Sequence, residues 1–132
     1  MFLDIMVSTT KRNEFIDITN WINQKIKENQ IQEWICTVYT PHTTCWVTIN
    51  EWADPDVMDD IQRFLDNKIW SNPIYKHAEW NSDSHIKSSL LGVSQQIIIF
   101  NQKLLLGTWQ KVFFGEFDWP RQRKVFLKLI SW

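Results

Sequence analysis

The sequence predicts a single α+β domain of mostly antiparallel strands with two to three helices, and two observations carry that expectation. Strand-like segments come in runs, grouped on either side of the helical stretches, and do not alternate with them one for one. Grouping of this kind favours antiparallel sheets over a parallel βαβ architecture. The chain has 132 residues, with no internal repeat, low-complexity stretch or linker. That length is enough for one core and not for two, so residues 1–132 are read as one domain.

Taken in order, Phe2 to Thr9 reads as a strand. Lys11-Arg12-Asn13 reads as a turn and Phe15 to Ile18 as the returning strand of an opening hairpin. Thr19 is placed to cap the helix that follows, where Trp21, Ile22 and Ile26 recur at helical spacing until about Gln30. Trp34 to Thr40 is β-rich, with Ile35, Thr37 and Tyr39 on one face and Cys36 and Val38 on the other. Pro41 ends its regular pairing. Residues 45–50 alternate as another strand.

Asp54-Pro55-Asp56 is a strong helix start. Asp54 suits the N-cap, Pro55 suits N1, and Asp56 favours the positive end of the helix dipole. Val57, Ile61, Phe64, Leu65 and Ile69 form an apolar stripe. Ser71-Asn72-Pro73 breaks that helix, and Tyr75 to Ser84 reads as an exposed loop. His85 to Leu91 reads as a short helix stopped by Gly92. Gln96 to Phe100, Lys103 to Leu106, Trp109 to Phe114 and Lys124 to Ile130 are the remaining strands, with Asn101-Gln102 as a turn.

Composition narrows the class of function. The formal net charge is -1, so no global basic field recruits nucleic acid. The local basic group Arg121, Arg123, Lys124 and Lys128 reads as a solvated strand face. No apolar run approaches the roughly 20 residues of a membrane helix. MFLDIMVSTT carries an acid and lacks the basic start and apolar stretch of a signal peptide. Cys36 and Cys45 give no disulfide framework, so a cytoplasmic protein with free thiols is expected. Nine tryptophans against three glycines suggest large buried surfaces and a subunit interface.

The chemistry-bearing residues gather around one strand. His42-Thr43-Thr44-Cys45 precedes it; Asn50 and Glu51 end it; Asp54 and Asp56 follow. His42, His77 and His85 come from three different elements and can converge on a divalent metal, zinc or magnesium, with Cys45 as a softer fourth ligand. Their spacing is not a zinc signature, and unrelated surface histidines are the commoner outcome. Lys87 lies in the first turn of a short helix and suits an anion, although the sequence alone favours an ordinary solvated lysine. Glu51 is a candidate base or metal ligand, and a plain surface glutamate explains it equally. Trp109 and Gln110, in Gly107-Thr108-Trp109-Gln110, can stack on and hydrogen-bond a flat ligand, against the usual fate of tryptophan in a core. Arg121 after Pro120 can hold an anion. A Cys45–His42 nucleophile ranks low, because residues three apart on such a segment need not touch.

HTTCWVTINEWADPDV, Tyr75-x-His77, SHIKSSLLGVS, LLLGTWQ and EFDWPRQRKV, in this order across nearly the whole chain, resemble the YjbQ-like family, described as secondary thiamine-phosphate synthases. The resemblance implies a β-sandwich within the α+β class, a homotrimer, and a site near the subunit boundary that collects histidines and acids. It implies a metal-assisted transfer joining a pyrimidine diphosphate to a thiazole phosphate. The alternative is a trimer that binds a divalent metal and a small anion without that chemistry. By position, the motif residues are His42, Thr43, Thr44, Cys45, Asn50, Glu51, Asp54, Asp56, His77, His85, Lys87, Gly107, Trp109, Gln110, Glu116 and Arg121. Glu51, His85 and Lys87 are expected in catalysis. Thr43, Thr44, Asn50, Trp109, Gln110 and Arg121 are expected to bind the phosphate-bearing ligand. His42, His77, His85 and Cys45 are expected to hold the metal. Trp46, Trp52 and Trp119 stand where the family more often has small or polar residues, which implies a site that is narrower or more buried in the trimer.

Overall fold

The computed structural model describes residues 1–131. The elements are β1 (Phe2–Ser8), β2 (Glu14–Asp17), α1 (Thr19–Glu28), β3 (Glu33–Tyr39), β4 (Cys45–Glu51), α2 (Pro55–Lys68), α3 (Ser82–Leu91), β5 (Ser94–Phe100), β6 (Lys103–Leu104), β7 (Gln110–Glu116) and β8 (Gln122–Ser131). They form a five-stranded sheet ordered β1-β8-β3-β5-β6 and a three-stranded sheet ordered β2-β7-β4, every ladder antiparallel. The α+β class with antiparallel sheets and three helices is as expected.

The opening hairpin is not there. β1 pairs with β8, whereas β2 pairs with β7 in the other sheet. The turn around Lys11–Asn13 carries the chain from one sheet to the next. Alternation identified both strands, but it carries no information about which strand each one pairs with.

Both sheets feed one core. Ile5 and Val7 of β1, Cys36 and Val38 of β3, and Val125, Leu127 and Leu129 of β8 meet Val47 of β4 and Phe114 of β7. Ile22 and Ile26 of α1 complete it. Thr19 opens α1 but does not cap it through its side chain. Asp17 Oδ1 accepts the Thr19 N–H at 2.9 Å, and Thr19 Oγ1 accepts the Val112 N–H at 2.8 Å. So Asp17 satisfies the helix start, and the threonine ties α1 to β7.

A second cluster of Trp46, Phe117 and Leu65, flanked by Phe15 and Ile61, seats α2 on the three-stranded sheet. Asp54 caps α2 as its sequence demands, accepting the Asp56 N–H at 3.0 Å. The apolar stripe of α2 is shifted: Phe64 is 60% exposed, and Met58 is buried instead. Under this cluster, a Cβ on Gly115 would stand 1.6 Å from Trp46 Nε1, so the indole lies directly against the glycine backbone.

α3 starts at Ser82, three residues before His85. Its start is fixed from outside: Asn81 Nδ2 donates to Asp118 at 2.9 Å, and Ser84 Oγ donates to the Phe117 carbonyl at 2.6 Å. Gly92, with φ 88°, ends it in a conformation only glycine adopts without strain. Among the described residues no helix is long and apolar enough to cross a membrane.

Candidate functional site

α3 and the two loops beside it bring the three histidines into one region. His85 lies in the first turns of α3, and His77 lies in the loop between α2 and α3. Their ring centroids are 5.3 Å apart at 86°, edge to face. Both line a cleft of about 470 Å³ with Tyr75, Lys76 and Ser82. His77 Nε2 is also 3.5 Å from Glu79 Oε2. On its other side, His85 lines a second cleft of about 390 Å³ together with His42 and Thr43 from the β3–β4 turn. His85 is therefore common to two adjoining clefts, with one histidine on either side of it.

His42 is half-buried, and its Nε2 accepts the Lys124 backbone N–H at 2.8 Å. Burial, then the positive charge of Arg123, hold its protonation below the ordinary imidazole range; Arg121 adds to them and Glu116 opposes them. Among the described residues no three His, Cys, Asp or Glu side chains stand together at ligating distance. Of the three imidazoles, His77 and His85 are the two whose rings pack together, and they are the pair that could contribute to holding an ion.

Cys45 faces away from that pair. Its thiol is enclosed in the core and sits 3.8 Å from Glu116 Oε2. Burial first, and the Glu116 charge after it, push its ionisation well above the ordinary thiol range. Cys45 is fully buried and lines neither cleft that holds a histidine, so it does not stand beside His77 and His85 as the expected fourth ligand.

Lys87 is corrected too. It is 1% exposed, its Nζ donates to Asp66 Oδ1 at 2.7 Å, and it lies 5.5 Å from the Phe117 ring centroid. It locks α3 to α2 and does not face either cleft lining. Arg121 is exposed, but its guanidinium donates to the Asp118 carbonyl and lies 3.6 Å from that carboxylate. Thr44 is buried, its hydroxyl accepting from Arg123 Nη2 at 2.9 Å.

The remaining expected residues sit at the opposite end of β4. Asn50 and Glu51 close that strand and pair with Lys111 and Gln110 of β7. Asn50 Oδ1 accepts the Glu51 N–H at 2.7 Å, and Gln110 Oε1 accepts the Gly107 N–H at 2.8 Å. Trp109 is 63% exposed beside them. Six steps of strand separate Cys45 from Glu51, roughly 20 Å at strand rise. A single chain thus carries the expected residues in two groups, one toward each end of β4.

A family model described as UPF0047 protein YjbQ-like matches residues 4–131. The chain belongs to this family. The UPF0047 protein MJ1081 of Methanocaldococcus jannaschii is 50% identical over 131 residues, covering 99% of this chain and 95% of that protein. The UPF0047 protein YugU of Bacillus subtilis is 43% identical over 132 residues, covering 99% and 100%. Among solved structures, an uncharacterized conserved protein of the YjbQ/UPF0047 family from Clostridium acetobutylicum superposes with TM-score 0.92 at 50% identity, covering 97% of this chain and 99% of that one. The hypothetical protein APE1520 of Aeropyrum pernix superposes with TM-score 0.93 at 30% identity, covering 100% and 99%.

One part of this YjbQ-like chain lies outside the expected site residues. Behind the His42 turn, Arg123 and Glu116 form a buried ion pair. The Glu116 carboxylate also accepts from Thr9 Oγ1 at 2.9 Å and from the Phe117 and Asp118 N–H groups at 3.1 Å each. Burial is the largest single influence on Arg123 and works against its charge, but the Glu116 hydrogen bonds and the nearby charges of Glu116 and Asp118 together outweigh it, so its protonation is held above the ordinary range. The basic group near the C-terminus read as a solvated face; Arg123 is the exception, because strand alternation points it inward next to Val125. Arg12 and Asp83 form a second pair through two bonds of 3.0 Å. Neither pairing has a local sequence signature, since the partners lie 7 and 71 residues apart. Lys76 was likewise unmarked in sequence, because nothing local shows which loop side chains line a cleft.

Proposed function

We propose that the double cleft around His85 binds a small phosphate-bearing molecule, with His77 and His85 holding a divalent ion. The observation that carries this reading is the position of His85, common to two clefts and flanked by the other two histidines. Lys76 adds positive charge to the larger cleft. The reaction that the family resemblance nominates is secondary thiamine-phosphate synthesis, joining a pyrimidine diphosphate to a thiazole phosphate with release of pyrophosphate. A bound divalent ion would supply charge to the leaving group there.

The split of the expected residues supports the rest of the proposal, a homotrimer. In it, the Asn50, Glu51, Trp109 and Gln110 end of one copy meets the histidine end of another. Trp109, exposed in the single chain, then stacks on a flat heterocycle. The two sheets, which share one core, are read as the layers of a β-sandwich, and the chain as a cytoplasmic protein with free, buried thiols.

Subunit mixing tests the reading. His85→Ala and Trp109→Ala should each lose thiamine-phosphate formation from the two substrates with magnesium present. Unfolding and reassembling the two variants together should restore part of it, because some mixed sites then carry both intact ends. Wild-type protein that makes no product above background removes the transferase reading. A second reading then stands, a trimer that binds the metal and a small anion without turnover. The ties of Lys87 to Asp66 and Arg121 to Asp118 favour it, since both withdraw positive charge a transferase would use.

A further inference from the structure

The three histidines do not offer the same chemistry. His42 Nε2 accepts a hydrogen bond from a backbone N–H, so that nitrogen carries no proton and the neutral ring has its proton on Nδ1. The donor cannot readily turn away. Lys124 is held in the ladder opposite Met6 of β1, and its carbonyl accepts from Thr40 Oγ1 at 3.4 Å. Nδ1 has no protein partner among the described residues.

The cleft it lines is short of other charges. It is about 390 Å³, and neither a carboxylate nor a lysine or arginine is among its lining residues. Ser88 and Ser89 both line it, but their hydroxyl protons go to the carbonyls of Cys45 at 2.7 Å and His85 at 2.9 Å. The hydroxyls of Tyr39 and Thr43, the His85 imidazole and the Nδ1–H of His42 are left as donors, and of the two histidines only His42 has its tautomer set by a backbone contact. The charged and titratable groups around the ring are the buried Arg123–Glu116 pair and Arg121 on the β7–β8 side, and His85 on α3. Acting through burial and two guanidinium groups against one carboxylate, this surround favours the neutral ring.

We propose that His42 is a fixed neutral donor whose Nδ1–H forms an oxyanion subsite in the cleft between the β3–β4 turn and α3, taking a carboxylate or phosphoryl oxygen. This rests on the double cleft being the ligand site, and it removes His42 from the metal ligands. A metal on Nδ1 would move the ring proton to Nε2, where it would face the Lys124 N–H head on. A metal on Nε2 would displace that bond. A neutral imidazole donor supports developing negative charge on oxygen without passing a proton itself.

Nitrogen-15 spectra of histidine-labelled protein test this directly. At pH 7, His42 should show Nδ1 protonated and Nε2 bare. Inorganic phosphate, or acetate as the carboxylate arm, should shift His42 Nδ1. Zinc should move His77 and His85 and leave His42 unmoved. His42→Gln keeps an acceptor for Lys124 and a donor for the ligand, so it should hold phosphate affinity within about threefold. His42→Leu should lose roughly tenfold, the scale of one hydrogen bond to an anion. An Nε2-protonated or doubly protonated ring at pH 7 overturns the proposal, as does a zinc shift at His42. If phosphate moves His77 and His85 but not His42, the subsite falls and the ligand site stands. If neither anion moves any histidine, both fall.

Discussion

Trp46 and Gly115 form the tightest contact for a side chain that is not there. A methyl group on Gly115 would occupy the space of the indole, and the covering helices leave that ring nowhere to go. Gly115→Ala should therefore destabilise the fold by roughly 3 kcal/mol, at the upper end of overpacking costs. Trp46→Ala on its own leaves a cavity, but added to Gly115→Ala it should cost much less than the sum, which denaturant melts of the four proteins would read. His42 gives a pH prediction. Its folded protonation lies below the ordinary value near 6.5, so acid binds first to the unfolded chain. The stability it contributes is whole above about pH 6.5 and is lost as pH falls toward its lowered folded value. Urea melts at pH 7 and pH 5 should show a smaller loss for His42→Gln than for wild type; an equal loss would place the acid sensitivity elsewhere.

The helix starts show what a sequence can and cannot say about an element. Asp54 was legible as a cap because capping is settled within two residues, and Asp54→Ala should cost about 1 kcal/mol in a thermal melt. The sequence reads α3 as starting at His85, three residues late, because the partners that fix its start, Asp118 and the Phe117 carbonyl, come from the β7–β8 turn. Alternation sorts β3 and β8 into two faces each, and the structure buries the face of Cys36 and Val38 and that of Val125, Leu127 and Leu129. It could not show that β2 joins β7 and leaves β1, because pairing depends on residues about 100 positions away. The candidate site divides in the same way. Histidine, threonine and tryptophan side chains are visible in the sequence as chemistry. Whether Lys87 meets a phosphate or Asp66 is decided by how two helices pack, and no spacing records that.

Across the whole molecule, the outward face of the five-stranded sheet stays uncovered in the single chain. Phe2, Met6, Tyr39, Ile98, Phe100 and Ile130 are exposed there, and the Phe126 ring centroid lies 5.1 Å from that of Phe2. Apolar surface of this kind marks an interaction face, and in the proposed trimer it would add a contact between copies to the one at the ends of β4. Ile98→Asp should convert the particle from three chains to one in light scattering while leaving the circular dichroism unchanged; an unaltered mass would put the interface on another surface. The pairing pattern also bears on how the protein is made. Of the six strand pairings, only β5 with β6 joins neighbours in sequence. On the ribosome, β1 and β2 must wait unpaired for β8 and β7, which emerge some hundred residues later. At synthesis speeds of about 5–20 residues per second, that is a delay on the order of ten seconds. Through that interval the nascent β1 and β2 segments have no native partner, which is the condition under which unpaired strand edges are prone to aggregate.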